Sequence, residues 1–418
     1  MPDRGSLSER LRIIRESGKG ADRPSGETGA KAAPDRREPA PRAVDRLPPE
    51  WERVGAYTWK RETHFPAAGA GPIALFHSPP GRGEAPGVEP GRFLFFDAET
   101  TGLSGGAGTI IFLAGFGRIT ASGIAVRQYF LSDYPGEREF LSAILAAELS
   151  SPSILTSYNG KSFDLPLLRG RLILNGLPVP VFEQYDLLHP ARACWRSILG
   201  SCSLGDLERG VIGIAREEDI PGSLIPARYF AYLSSRDPAL LSDVFSHHLQ
   251  DLRSLDVLAR RLSEIWTRPE TGFPVDRRRL GAALLRAGWR AGETILRNAF
   301  AAGDEAAGLL LGAYLKRTGR VREAAGIWEA MTEGGGSARA LLELAKYHEH
   351  RTGDLRKALL FTERLREKAV GADGAPVLTE DALMARRERI LRKLGKARGT
   401  DRPRGAEGPQ GKREKDAG

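Results

Sequence analysis

The sequence predicts two architectures in series: an α/β domain on a mixed sheet with flanking helices, then an all-helical region. Three observations carry this. Residues 92–262 hold strand-like and helix-like segments that begin with three strands in a row, not with strict strand–helix alternation. After about Thr267 the apolar residues recur with helical spacing only. Two helical segments, GAYLKRTGRVREAAGIW and AKYHEHRTGDLRKALLF, also align, with Thr318-Gly319 matching Thr352-Gly353 and Ala324 matching Ala358, each 34 residues apart.

The elements follow in order. Ser6–Ser17 has Leu7, Leu11 and Ile14 on one helical face, within a segment 1–50 otherwise too rich in Pro, Gly, Ala and Arg to bury a core. Residues 51–91, with Tyr57, Trp59, Phe65 and the run Ile73–Phe76, form a lead-in or flap. FLFFDAETT is a buried strand with a polar end, and IIFLAGFGRIT and IAVRQYFL are two more strands joined at Ser122-Gly123, which makes a three-stranded meander. Glu137–Leu149 is a helix, Ile154–Tyr158 a short strand ending at Asn159-Gly160, and Phe163–Leu174 a helix capped by Ser162 and stopped by Asn175-Gly176. Residues 267–395 are helical, with Leu280–Ala299 as a degenerate unit before the two aligned segments and Thr379–Leu394 as a closing helix. Residues 396–418 are a basic tail.

Composition excludes several classes. The net charge is +9, but residues 1–50 and 396–418 supply +2 and +3 of it, so the balance permits a phosphate-rich partner without demanding one. No apolar run approaches the roughly 20 residues that span a bilayer, so no membrane association is expected. The charged N-terminus has no apolar core of a secretory signal, and a cytoplasmic protein is expected. Cys194 and Cys202 are too few for a disulfide scaffold or a four-cysteine zinc site and are expected to be buried packing residues.

The chemistry lies in carboxylates. Asp97 and Glu99 end a very apolar strand, and residues i and i+2 of a strand share a face. Two like charges held together need a cation. The backbone that follows, through Thr100, Gly102 and Leu103, is placed to approach a substrate closely. Asp164 lies in YNGKSFDLPLL, after a turn that carries Asn159 and Lys161; its alternative role is to complement a helix N-terminus. Asp251 follows His247 by four residues and His248 by three, so both can share its helix face. Asp186, in QYDLLHPAR, belongs to the site edge or caps a helix, and Ser203 with Glu208 opens another in a capping arrangement. D-x-E, then D, then H-x-x-x-D supplies four hard oxygen ligands, which suit two Mg²⁺ or Mn²⁺ ions about 4 Å apart.

In these motifs the chain resembles the ribonuclease H-like DEDD exonuclease superfamily. FDAETTGL, YNGKSFDLPLL and HHLQDLRSL are similar to its first, second and third exonuclease motifs. Within it, DAETTGLSGGAGTIIFLAGFG, YDLLHPAR, CSLGDLERGVIG and Asp219–Gly222 resemble the YprB-type domain, as does a C-terminal tetratricopeptide-like part. The resemblance implies a metal-dependent 3′–5′ exonuclease acting on single-stranded DNA or RNA, with Asp97, Glu99, Asp164 and Asp251 as metal ligands. The histidine subclass spaces its base five residues before the last Asp, here Ser246, and the tyrosine subclass four before, here His247. His247 is therefore the expected general base, with His248 the alternative base or a contact to the substrate backbone. Asn159 and Lys161 are expected to touch substrate as well. The rival reading is a catalytically weak or inactive binding module whose tetratricopeptide-like region recruits a protein partner.

Overall fold

The computed structural model describes residues 47–75, 87–102, 108–151, 153–216, 219–268, 272–333, 337–368 and 377–400. Strands β1 (Glu52–Arg53), β2 (Thr58–Pro66), β5 (Phe93–Thr100), β6 (Ile111–Thr120), β7 (Gly123–Leu131), β8 (Ile154–Ser157) and β9 (Glu183–Asp186) form one sheet in the order β1-β2-β7-β6-β5-β8-β9. Strands β5, β6 and β7 are the antiparallel meander, and β8 and β9 extend it in parallel from β5. Strands β3 (Ile73–Ala74) and β4 (Gly87–Val88) pair separately.

Two parts of the sheet depart from the sequence reading. The segment 51–91 is more than a lead-in, because β2 pairs with β7 along its whole length, from Thr58↔Leu131 to Pro66↔Gly123. Trp51 and Trp59 are buried in the same core as the meander. Strand β9 has no counterpart in the sequence reading, which gives QYDLLHPAR only Asp186 at the site edge or as a helix cap. Its first two residues are exposed and just four residues pair, too short a run to show a period.

Strand β5 shows why the sheet is buried on both faces. Phe93 and Phe95 join one apolar cluster, Leu94 and Phe96 another. Helices α1 (Glu137–Ala147) and α5 (Ile225–Ser235) cover the second face through Phe140, Ile144 and Tyr229. The long helix α6 (Ser242–Thr267) covers the first through Leu252, Leu255, Leu258 and Leu262. A strand covered on both sides reads as an unbroken apolar run, which FLFF is.

Between them lie α2 (Asp164–Leu174), α3 (Leu188–Leu199) and the short α4 (Leu204–Leu207). Ser162 makes no cap for α2; carbonyls of the preceding turn serve instead, with the Leu165 amide donating to Gly160. At α4 the capping box is Ser203 with Asp206, not Glu208.

The C-terminal region is three successive helical hairpins and a closing helix: α7 (Arg277–Arg286) with α8 (Ala291–Ala301), α9 (Glu305–Arg317) with α10 (Val321–Glu333), α11 (Ala338–Tyr347) with α12 (Leu355–Glu367), then α13 (Glu380–Thr400). The hairpin turns put Gly288, Gly319 and Gly353 at φ of 85°, 82° and 73°, where a side chain would be strained. Tyr314 precedes Gly319 by five positions but Tyr347 precedes Gly353 by six. The extra residue is absorbed as a π-helical turn, His348–Thr352, which leaves Ala324 and Ala358 both fully buried. The first hairpin is bolted to the sheet domain. The Asp276 amide donates to the Cys194 carbonyl at 2.7 Å, Trp195 donates to the Pro274 carbonyl at 3.1 Å, and Leu280 and Leu284 share the cluster of Cys194. Cys194 and Cys202 are buried and unpaired.

Candidate active site

The site forms where the parallel strands end. Asp97 and Glu99 continue the face of Phe93 and Phe95, the face that α6 crosses, so the helix lays His247 and Asp251 against them. From the neighbouring β8 the chain passes Asn159, at φ 63°, and enters α2 with Asp164 as its first residue. Asp186, the last residue of β9, fixes that turn. Its Oδ1 accepts from the Asn159 amide at 2.8 Å and the Leu188 amide at 3.0 Å, and its Oδ2 from the Lys161 amide at 3.1 Å. Asp186 is thus at once the edge of the site and the cap of α3.

His247 Nε2 lies 3.5 Å from Asp251 Oδ2 and 4.0 Å from Glu99 Oε1, and one ligand atom from each of the three falls within 4.8 Å of the others. The side chains of Asp97, Glu99 and Asp251 keep only 19%, 15% and 15% exposure, so their charges are poorly solvated. Burial, then the charges of Asp251, Asp164 and Glu99, holds Asp97 protonated well above the usual carboxylate range. Glu99 is pushed up to about 8 by burial and by Asp251 and Asp164. Asp164 rises to about 7 through burial, with Asp186 adding to it. Asp251 also rises on burial, though His247 and Arg216 pull it back. Asp97 and Glu99 each feel the charges of both Asp164 and Asp251, so the four carboxylates lie close enough to interact.

His248 does not face a substrate. It is fully buried; its Nδ1 is 2.8 Å from Gln128 Nε2, an obligate donor, and its Nε2–H donates to the Asp97 carbonyl at 3.1 Å. Burial lowers its pKa to about 3, so the ring is neutral and props the strand end from behind. The register makes room for it. Gly115 sits opposite Asp97, and a Cβ there would lie 2.4 Å from His248 Cε1. Both the base and the substrate-contact readings of His248 are therefore corrected. Thr100 is likewise buried, with its hydroxyl donating to the Gly102 carbonyl at 2.8 Å, so its side chain closes the turn rather than facing outward. Gly102 is half-buried, Asn159 and Lys161 are exposed beside the cluster, and Leu103 lies outside the described residues.

With this geometry in place, comparison with known proteins gives the ancestry. Residues 94–263 match the family model described as the RNase_H superfamily. Over 297 residues the chain is 35% identical to the uncharacterized protein YprB of Bacillus subtilis (strain 168), covering 67% of this chain and 70% of YprB. The chain belongs to the family of YprB, with a ribonuclease H-superfamily domain at residues 94–263. Its similarity to YprB runs past the 94–263 match, which is shorter than 297 residues. Among the described residues no helix is long and apolar enough to cross a membrane.

In this ribonuclease H-superfamily domain the sequence reading missed three charged residues at the site. Arg216 Nη2 contacts Asp251 and lies 2.8 Å from Glu208 Oε1, while Arg216 Nη1 is 3.3 Å from Asp219 Oδ2. Burial works against the Arg216 charge, but hydrogen bonding to Glu208 and the attraction of Asp251 outweigh it. It is also the cation that partly offsets repulsion on Asp97 and Glu99. These residues carry no periodicity. CSLGDLERGVIG and Asp219–Gly222 carried a family resemblance but no site role, and the physical signal was that clustered carboxylates require positive charge nearby.

Proposed function

We propose that the chain is a divalent-metal-dependent 3′–5′ exonuclease that hydrolyses phosphodiester bonds in single-stranded nucleic acid. The observation that carries this is the shared pocket of Asp97, Glu99, Asp164 and Asp251 with His247 Nε2 facing into it. Carboxylates whose pKa values are raised first by burial, and at Asp97 and Glu99 also by the neighbouring carboxylates, are a hard-oxygen donor set short of positive charge, which fits Mg²⁺ or Mn²⁺. Bound there by the four carboxylates, two such ions would neutralise the pocket and lend Lewis-acid assistance at the phosphate.

The chain's own residues supply the rest. His247 Nε2 takes a proton from the attacking water, the water oxygen bonds to phosphorus, and the P–O3′ bond breaks. The O3′ leaving group gains a proton, so a 5′-mononucleotide departs from a strand with a new 3′-hydroxyl. Asn159 and Lys161, exposed on the turn next to Asp164, are suited to hold the phosphate backbone. End dependence and polarity rest on the resemblance of the three motifs to exonuclease motifs. In this reading residues 92–262 carry the chemistry, and 267–395 are a tetratricopeptide-like array that recruits a protein partner.

The test is release of mononucleotides from end-labelled single-stranded DNA and RNA in Mn²⁺, Mg²⁺ or EDTA. Activity in the metals, none in EDTA and none in a folded Asp97→Ala variant is the expected result. An Asp97→Ala protein as active as the original refutes the assignment. Binding without cleavage in either metal leaves the binding-module reading in its place.

A further inference from the structure

The segment after α4 carries two charged residues to which the exonuclease motifs give no role, Arg216 and Asp219. Asp219 Oδ1 lies 2.5 Å from His247 Nδ1, and Arg216 Nη1 lies 3.1 Å from the same nitrogen. Both cannot be hydrogen bonds. A guanidinium only donates and a carboxylate only accepts, so the proton on Nδ1 decides between them. The shorter contact belongs to the carboxylate, and Arg216 Nη1 has its own acceptor in Asp219, with Oδ2 at 3.3 Å. Nδ1 therefore carries the hydrogen and donates it to Asp219. In the neutral ring the lone pair is then on Nε2, the nitrogen that faces Asp251 and Glu99.

The frame behind this pair is rigid. Glu208 is fully buried, bonded to Arg216 through both carboxylate oxygens, and Ser254 of α6 donates to its Oε1 at 2.5 Å. One guanidinium thus ties Glu208, Asp219 and Asp251 together, and α6 anchors the set. An Arg216–Asp219 contact at a side chain 34% exposed adds little to stability by itself. Its consequence is orientation.

We propose that Asp219 is the positioning residue of the site: it selects the Nδ1–H tautomer of His247 and aims Nε2 into the carboxylate pocket, with Arg216 bracing it. This rests on the reading of His247 as general base, but its decisive measurement does not require turnover.

In the full chain labelled with ¹⁵N-histidine, in EDTA at pH 7.5, the ring nitrogens report the tautomer directly, and His247→Gln assigns the signals. Nδ1 of His247 is expected to be protonated and Nε2 bare. In Asp219→Ala the pattern should move toward the Nε2–H form, and in Asp219→Glu it should return. At saturating Mn²⁺ the single-turnover rate of Asp219→Ala on a labelled oligonucleotide should fall roughly 10²-fold, the lower end of general-base effects. Its Mn²⁺ affinity should stay within about threefold, since Asp219 acts on the base and not as a ligand. Asp219→Asn, equal in size, serves if the alanine variant does not fold. An unchanged His247 tautomer in the variants overturns the proposal. So does a loss of Mn²⁺ affinity of about tenfold or more with the rate restored at high Mn²⁺, which would make Asp219 a ligand. A wild-type chain inactive in every metal sinks the exonuclease reading instead, while the tautomer measurement still decides Asp219.

Discussion

The metal-free chain should become less stable as the pH rises through neutrality, and a divalent cation should reverse the trend. Glu99 is moved from 4.5 to about 8 and Asp164 from 3.8 to about 7, each first by burial, with Asp97 raised well above its ordinary value as well. These acids hold their protons to higher pH folded than unfolded. Between about pH 4 and pH 8 the native state thus binds more protons than the unfolded state, and stability falls as pH increases. The contribution is complete below the unfolded pKa and is lost as the pH passes the folded one. At about 1.4 kcal/mol per pKa unit, the rise of Glu99 alone corresponds to about 5 kcal/mol. A scan from pH 5.5 to 8.5 crosses about 2.5 of those units, so about 3 kcal/mol from Glu99 is the figure to test. For a domain of roughly 200 residues, each kcal/mol moves Tm by about 2–4 °C, so the shift is about 6–12 °C.

The assay is thermal unfolding in EDTA at pH 5.5, 7.0 and 8.5, repeated with Mn²⁺. The chain carries +9 and has a pI near 9.6, so its overall repulsion weakens as the pH climbs and by itself would raise Tm. A fall in Tm therefore singles out the buried carboxylates. Mn²⁺ should stabilise more at pH 8.5 than at pH 5.5, because ion and proton compete for the same oxygens. Glu99→Gln should flatten the EDTA curve. A flat or rising Tm in EDTA refutes the shared-pocket electrostatics.

Three further substitutions separate the histidines and test the strand–helix contact. His247→Ala should lower the single-turnover rate by roughly 10²–10⁴ and shift Tm little, whereas His248→Ala should cost about 2–4 kcal/mol in urea unfolding by leaving a cavity and a buried Gln128 amide short of one partner; equal stability of the two variants would contradict the buried position of His248. Gly115→Ala places a Cβ 2.2 Å from Leu252 Cδ1 and 2.4 Å from His248 Cε1 and should destabilise by about 1–3 kcal/mol while pushing α6 off β5. Urea unfolding together with Mn²⁺ titration checks it, and wild-type values in both would show that the helix does not rest on this strand.

What was legible in the sequence was local. FLFF, the Ser122-Gly123 turn and the spacing of Phe140, Leu141 and Ile144 depend on short-range period and burial, and β5 to β7, α1, β8 and α2 lie within a residue or two of the reading. Strand β2 was not legible as part of the sheet, because TWKRETHFP mixes charged and aromatic residues and its partner β7 begins more than fifty residues later. The same holds at the site. The i, i+2 pair Asp97 and Glu99 and the i, i+4 pair His247 and Asp251 follow from strand and helix geometry alone. Which histidine points inward follows from how α6 is rotated on the sheet, and that is fixed by the absence of a side chain at Gly115, on a different strand. Arg216 and Asp219 acquire meaning only from tertiary position.

Charge bookkeeping links the pocket to the rest of the chain. Asp97, Glu99, Asp164, Asp251, Glu208 and Asp219, fully ionised, bring six negative charges against the single guanidinium of Arg216. A formal −5 inside a chain of net +9 is opposite in sign to its surroundings and would repel a phosphate. Without cations the pocket can relieve this only by keeping protons, and the raised pKa values of Asp97, Glu99, Asp164 and Asp251 record that relief. Two divalent ions would bring the sum to about −1 and let the carboxylates release those protons. In the exonuclease reading a phosphodiester could then enter a pocket that otherwise excludes it, and metal loading would be a condition for substrate binding as well as for hydrolysis.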